Sequence, residues 1–214
     1  MTQPSTPGAF EVARWQTGQT WAVEYLRSVV SPAKRPAPSS PPPQRSVWRY
    51  QAGQVNPELG GIPILAAEEG GDRKFELWFD LPSPNLRRVV KIVANRRSDF
   101  IVHSGRDPFF GWSQEHPVIF DWPGLPLEAQ DAERTFVSED GLPVDEVIRV
   151  TAPSQLEISM MMKRQIDAGF TQTQRVKQVW EKGRPWWSSA VVDTGYDIDG
   201  SKSVERHIVG RLLA

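Results

Sequence analysis

Residues 62–81 read IPILAAEEGGDRKFELWFDL and indicate the fold more clearly than any other stretch. Within Lys74–Leu81 the apolar residues Phe75, Leu77, Phe79 and Leu81 share one face, whereas the charged residues Lys74, Glu76 and Asp80 lie on the other. This period of two is typical of a β-strand with one buried face and one solvated face. The letters EEGGD ahead of the strand are turn residues. The stretch therefore predicts two antiparallel strands joined as a hairpin.

The same alternation flanks a proline-rich segment. One run covers Trp21–Tyr25 and another begins at Val47–Tyr50. Between them, Ser31–Arg45 contains six prolines, which favour extended and solvated backbone. The residues ahead of it, about 30, are too few to fold alone, so we predict a loop inserted between two paired strands. We expect one β-rich domain over residues 1–214.

Further strands are predicted in the C-terminal half. Leu156–Met162 alternates apolar with polar residues, and Phe170–Trp180 turns into a strand at Pro185–Val192. Asp199 and Gly200 suit a type I′ turn, because both of its central residues need positive φ. They lead into a last strand at Ser203–Leu213.

Helices are predicted to be few. Pro84–Arg97 fits either periodicity, and we predict a strand. Short helices are predicted at Leu127–Arg134 and Met162–Ala168, the second of them ended by Gly169. We therefore predict a mainly β fold, all-β or α+β, arranged as an antiparallel sandwich or a curved half-barrel with one or two short helices.

Composition excludes several classes of protein. The 25 basic and 26 acidic side chains balance, so we expect no nucleic-acid binding. Cysteine is absent, which rules out disulfides and thiolate sites. No apolar stretch reaches the roughly 20 residues that span a bilayer, so we expect a water-soluble chain without an integral membrane segment. Residues 1–10 lack a signal-peptide pattern, which predicts the cytoplasm, or the periplasm or cell surface if a leader precedes them.

Catalytic chemistry has one candidate set of residues. His103, Ser104 and His116, with Asp107 or Asp121 as the orienting group, could form a hydrolase triad, because triad members need not be neighbours in sequence. No Gly-x-Ser-x-Gly elbow exposes the serine, so we expect no catalytic residue and favour a protein that is not an enzyme. Metal-binding spacings and phosphate-binding glycine loops are also absent from the sequence, so we predict no metal and no cofactor.

Tryptophan is the strongest compositional signal, with nine residues. Trp78 interrupts the polar face of its strand. The adjacent Trp186 and Trp187 fall on the strand predicted at Pro185–Val192 and must point to opposite faces, so at least one lies outside the main core unless both faces are covered. We predict that Trp78, Trp180, Trp186 and Trp187 contact a partner or ligand, because exposed indoles are typical of interaction surfaces.

A second candidate site is basic. It could hold phosphate or an acidic partner. Its five members are Arg87, Arg88, Lys91, Arg96 and Arg97.

Three functions follow from these features. The first is a non-catalytic binding or assembly module whose aromatic strand faces contact a protein partner or a second copy. The second rests on Arg175–Val192, which resembles terminal strands of periplasmic lipoprotein-carrier half-barrels and implies an apolar ligand or lipid in a half-barrel cavity. The third is the hydrolase around His103, Ser104 and His116.

Overall fold

The computed structural model describes residues 10–11, 15–29, 42–58, 60–80, 86–101, 128–137 and 141–213. Every regular element in these ranges is a β-strand. The strands are β1 (Phe10–Glu11), β2 (Thr20–Val29), β3 (Gln44–Ala52), β4 (Gly61–Glu68), β5 (Lys74–Asp80), β6 (Leu86–Val93), β7 (Arg96–Ile101), β8 (Glu128–Ala129), β9 (Ala132–Val137), β10 (Pro143–Ala152), β11 (Gln155–Asp167), β12 (Phe170–Glu181), β13 (Ser189–Ile198) and β14 (Ser201–Leu213). The predicted mainly β, antiparallel fold is confirmed.

Twelve of these strands form one open antiparallel sheet, and β1 and β8 pair separately. The order is β7-β6-β5-β4-β3-β2-β14-β13-β12-β11-β10-β9. Strands that follow one another in sequence are therefore neighbours, and the last strand, β14, pairs with β2. The exception is the step from β7 to β9, which form the two edges of the sheet. The strands on either side of the proline-rich segment, β2 and β3, pair as predicted.

One face of the sheet, called the inner face here, carries the core. Alternate residues along each strand are buried, as at Val23 and Tyr25 in β2 or Phe75, Leu77 and Phe79 in β5, where none is more than 3% exposed. The buried set continues through β10, β11 and β12 and joins a single apolar cluster. The opposite, outer face is more exposed.

Ion pairs tie neighbouring strands together on the outer face. Glu24 pairs with Arg45, and Lys177 lies 3.0 Å from Glu157. In each case the partners are offset by two residues in the strand register, where long side chains reach one another diagonally. Such exposed pairs contribute roughly 0–1 kcal/mol each, so stability rests mainly on the inner face.

The two predicted helices are wrong. Residues 132–137 form β9, in which half-buried and exposed residues alternate, and they pair with β10. Residues 162–167 continue β11 into a hairpin with β12. Gly169 has φ 76°, so it supplies a turn within this hairpin instead of ending a helix. In both segments a neighbouring strand satisfies the backbone, which overrides a weak local preference for helix.

The segment predicted as a strand at Pro84–Arg97 contains a turn. Ala94 and Asn95 both have positive φ, 47° and 62°, and they connect β6 to β7. The Asp199-Gly200 turn has φ values of 49° and 82°, as a type I′ turn requires. Strand β13 begins at Ser189, so Pro185 and its neighbours belong to the preceding loop.

Candidate functional site

Trp186 is the centre of the aromatic core. It is fully buried, and its ring lies 5.2 Å from that of Tyr50 and 6.5 Å from that of Phe79, in one half of the sheet. In the other half, the Trp180 ring lies 6.3 Å from the Trp186 ring. Strands β5 and β12, which carry Phe79 and Trp180, are six places apart in the sheet. Trp186 therefore joins strands of both halves of the sheet over the inner face.

The position of Trp187 corrects one prediction. Trp186 and Trp187 are both fully buried and belong to the same core cluster. They lie in the loop between β12 and β13, so the alternation of a strand does not apply to them. Their ring contacts, to Tyr50 and Phe79 for Trp186 and to Tyr25 for Trp187, show that both side chains lie over the inner face. The expectation that one of the two lies outside the main core is wrong.

Gly210 makes room for Trp187. A Cβ atom at this position of β14 would lie 2.5 Å from Trp187 Cη2, closer than real carbon atoms approach. We expect Gly210→Ala to lower the free energy of unfolding by about 1–3 kcal/mol, because a close-packed core resists an added methyl group. Urea denaturation measures this loss. Adding Trp187→Phe to the Gly210→Ala protein should recover part of the lost stability, because the smaller ring relieves the clash. Additive losses from the two changes would show that this contact is not the cause.

The other predicted aromatic contact residues lie apart. Trp180 is 2% exposed, and its indole nitrogen donates to Gln178 Oε1 at 3.2 Å. Trp78 lies half-buried on the outer face of β5, opposite Arg88 in β6. Of the four tryptophans, Trp78 is the one outside the core. The structure thus leaves three of them covered.

The predicted basic group lies at the β7 edge of the sheet. All five of its members are on β7, which is the edge strand of the sheet, and on its neighbour β6. Residues 86–101 contain one acidic residue, Asp99. The described side chains of β7 are all exposed, and Ile101, at 67%, is the most exposed large apolar residue of the described part.

Several of these cations already have partners. Arg87 pairs with Asp80, Arg88 with Asp99, and Arg97 lies 3.5 Å from Glu76. The hydrogen bond to Asp99, with the charge of that carboxylate, raises the pKa of Arg88 above its usual value. Arg96 is exposed and has no ion-pair partner among the described residues.

A charged pair lies inside the opposite edge, where β9 meets β10. Glu146 is 1% exposed and pairs with Arg134, which is opposite it in register. Each partner keeps one enclosed atom, Glu146 Oε1 and Arg134 Nη2, without a hydrogen bond among the described residues. Sequence reasoning missed this pair, since the ERTFV motif was assigned in part to a helix.

Other predicted features are not placed by the structure. His103, Ser104, Asp107, His116 and Asp121 lie outside the described residues. Within the described part, no three His, Asp or Glu side chains are grouped to hold a metal ion. The described ranges also contain no helix long and apolar enough to cross a membrane.

Comparison with known proteins adds no relationship. No family model matches the sequence, and no curated protein matches it.

Proposed function

We propose that this protein is a non-catalytic binding module that takes an acidic β-strand of a partner protein onto its β7 edge. The observation that carries the proposal is the combination of an edge strand with exposed side chains and a basic composition. An edge strand presents unpaired N–H and C=O groups that an extended peptide can use. Neither property alone would select a partner.

The aromatic surfaces favour this edge over a contact through tryptophan. Trp180, Trp186 and Trp187 are at most 2% exposed, so a partner could reach them only by opening the core. Trp78 is different, because it lies in the outer-face row that runs through Arg88 to Ile101. A strand added beside β7 would lie against the exposed Ile101 at the end of this row.

Charge favours an acidic strand over a second copy of the chain. Pairing of β7 with itself would bring two strands of the same positive charge side by side, and like charges across strands are destabilising. An acidic strand would instead face Arg96 and Arg97. The other edge is a poorer acceptor because Arg134 is already held by the buried Glu146.

Binding of short capped peptides tests the proposal. We expect a peptide of alternating valine and glutamate to bind, and its valine and lysine counterpart to bind at least tenfold more weakly. Arg96 and Arg97 are adjacent in β7 and point to opposite faces, so the glutamates of this peptide lie beside one of them in either orientation. The double variant Arg96→Glu and Arg97→Glu should weaken binding of the acidic peptide by about tenfold, since that contact becomes repulsive whichever face the glutamates take. Isothermal calorimetry at low salt measures each affinity.

The control is Arg211→Glu, which changes the charge at an exposed position of the interior strand β14. It should leave the affinity nearly unchanged. Equal binding of both peptides, or equal losses in the β7 and β14 variants, would contradict the proposal.

A further inference from the structure

A groove of about 880 Å³ crosses the sheet from β14 to β6, away from the β7 backbone edge. Its lining alternates between exposed residues such as Arg49 and Leu65 and buried ones such as Tyr50 and Phe75. The exposed strand residues of the lining belong to the outer face, and Arg184 and Pro185 add to it from the loop between β12 and β13. A volume of this size is in the range of small-molecule sites, which are roughly 300–1,000 Å³.

The floor of the groove is apolar and is formed by short side chains. Two alanines, Ala22 and Ala67, lie on either side of Arg49 in one cross-strand row, and the same row continues through Lys74 to Ile92. Leu65, 42% exposed, lies in the next row. Small side chains between longer ones form the depression. A ligand that covers its apolar atoms would gain about 25 cal/mol of binding free energy for each Å² removed from water.

The charges around the floor are mostly positive. Arg49, Lys74 and Arg184 line the groove together with one acid, Glu76. Arg49 lies 3.0 Å from Glu69, Arg184 lies 3.6 Å from Glu181, and Glu76 lies 3.5 Å from Arg97. Lys74 is exposed and has no ion-pair partner among the described residues. It is therefore the cation that a ligand can use without breaking an existing pair.

We infer that this groove binds an anionic amphiphile, with the hydrocarbon chain over Ala22, Leu65 and Ala67 and the acidic head group at Lys74. A neutral amphiphile would gain the same apolar contact but no ion pair. A cationic one would be repelled by Lys74. This site is distinct from the β7 edge, because no residue of β7 lines it and its ligand differs from the proposed partner strand; the two meet at the pair of Glu76 with Arg97.

Three amphiphiles with the same chain test the inference: dodecanoate, dodecanol and dodecylamine, each below its micellar concentration or solubility limit. Calorimetry should show dodecanoate binding about tenfold more tightly than dodecanol, and dodecylamine binding least. Lys74→Gln should weaken the binding of dodecanoate by about tenfold and leave that of dodecanol unchanged, because only the head-group contact is lost. Raising the salt concentration should weaken the binding of dodecanoate alone.

Two further variants locate the site. Ala67→Phe fills the floor of the groove and should abolish binding of both dodecanoate and dodecanol, with circular dichroism confirming that the variant is folded. Lys163→Gln removes an exposed cation from β11, outside the groove lining, and should change neither affinity. The inference is overturned if wild-type protein binds none of the three amphiphiles, if Lys74→Gln leaves dodecanoate unaffected, or if folded Ala67→Phe binds as wild type does.

Discussion

Replacing Trp186 with alanine is expected to lower the free energy of unfolding by about 3–5 kcal/mol. Trp186 is fully buried, and it joins β2, β3, β5 and β12 through ring contacts. A buried indole removes about 150–250 Å² from water, and no neighbour in a close-packed core can fill the space it leaves. Chemical denaturation monitored by far-UV circular dichroism measures the loss.

Trp78→Ala is the matched control for this change. Trp78 is half-buried on the outer face, so its removal leaves no enclosed cavity, and we expect a loss of about 1–2 kcal/mol. Equal losses at Trp186 and Trp78 would mean that Trp186 is not the centre of the core.

Arg134→Leu is expected to destabilise the protein by about 3–5 kcal/mol, although Arg134 lies on an edge strand. The change leaves the carboxylate of Glu146 buried at 1% exposure without its ion-pair partner. Breaking a buried pair at one side costs more than the pair itself contributes, because the remaining charge is neither solvated nor compensated. Thermal and urea denaturation of the variant measure the effect.

The double variant Arg134→Leu and Glu146→Leu separates this cause from loss of packing. With both charges gone, two apolar side chains join the cluster that already contains Val144 and Ile148, and we expect stability within about 1 kcal/mol of wild type. A double variant as unstable as Arg134→Leu alone would show that the guanidinium stabilises β9 by its packing and not by its charge.

Most strands could be predicted from the sequence because their faces differ in polarity. Phe75, Leu77 and Phe79 alternate with charged residues, and the Asp199-Gly200 turn has the dihedral angles that its residues favour. The helix predicted at Met162–Ala168 failed for the opposite reason. All of Lys163–Gly169 is exposed, so no buried face marks the period, and only pairing with β12 makes the segment a strand.

The candidate sites were less accessible to sequence reasoning. The five cations on β6 and β7 were found as a group, but the strand order that puts them at an edge depends on long-range pairing. Trp186 and Trp187 were predicted on a strand, but they lie in a loop over the inner face. A loop has no hydrophobic periodicity from which its position could be predicted. The groove at Lys74 arises from small side chains on two different strands, Ala22 and Ala67, that become neighbours only across Arg49.

Hydrogen exchange of the β7 amides during titration with the valine and glutamate peptide tests the central claim most directly. In an edge strand every second N–H points away from the sheet and exchanges freely, and an added strand would bond those groups. We predict slower exchange at alternate amides of Arg96–Ile101 and unchanged exchange in β9. Binding of the peptide without slower exchange in β7, or with protection confined to other strands, would contradict the account.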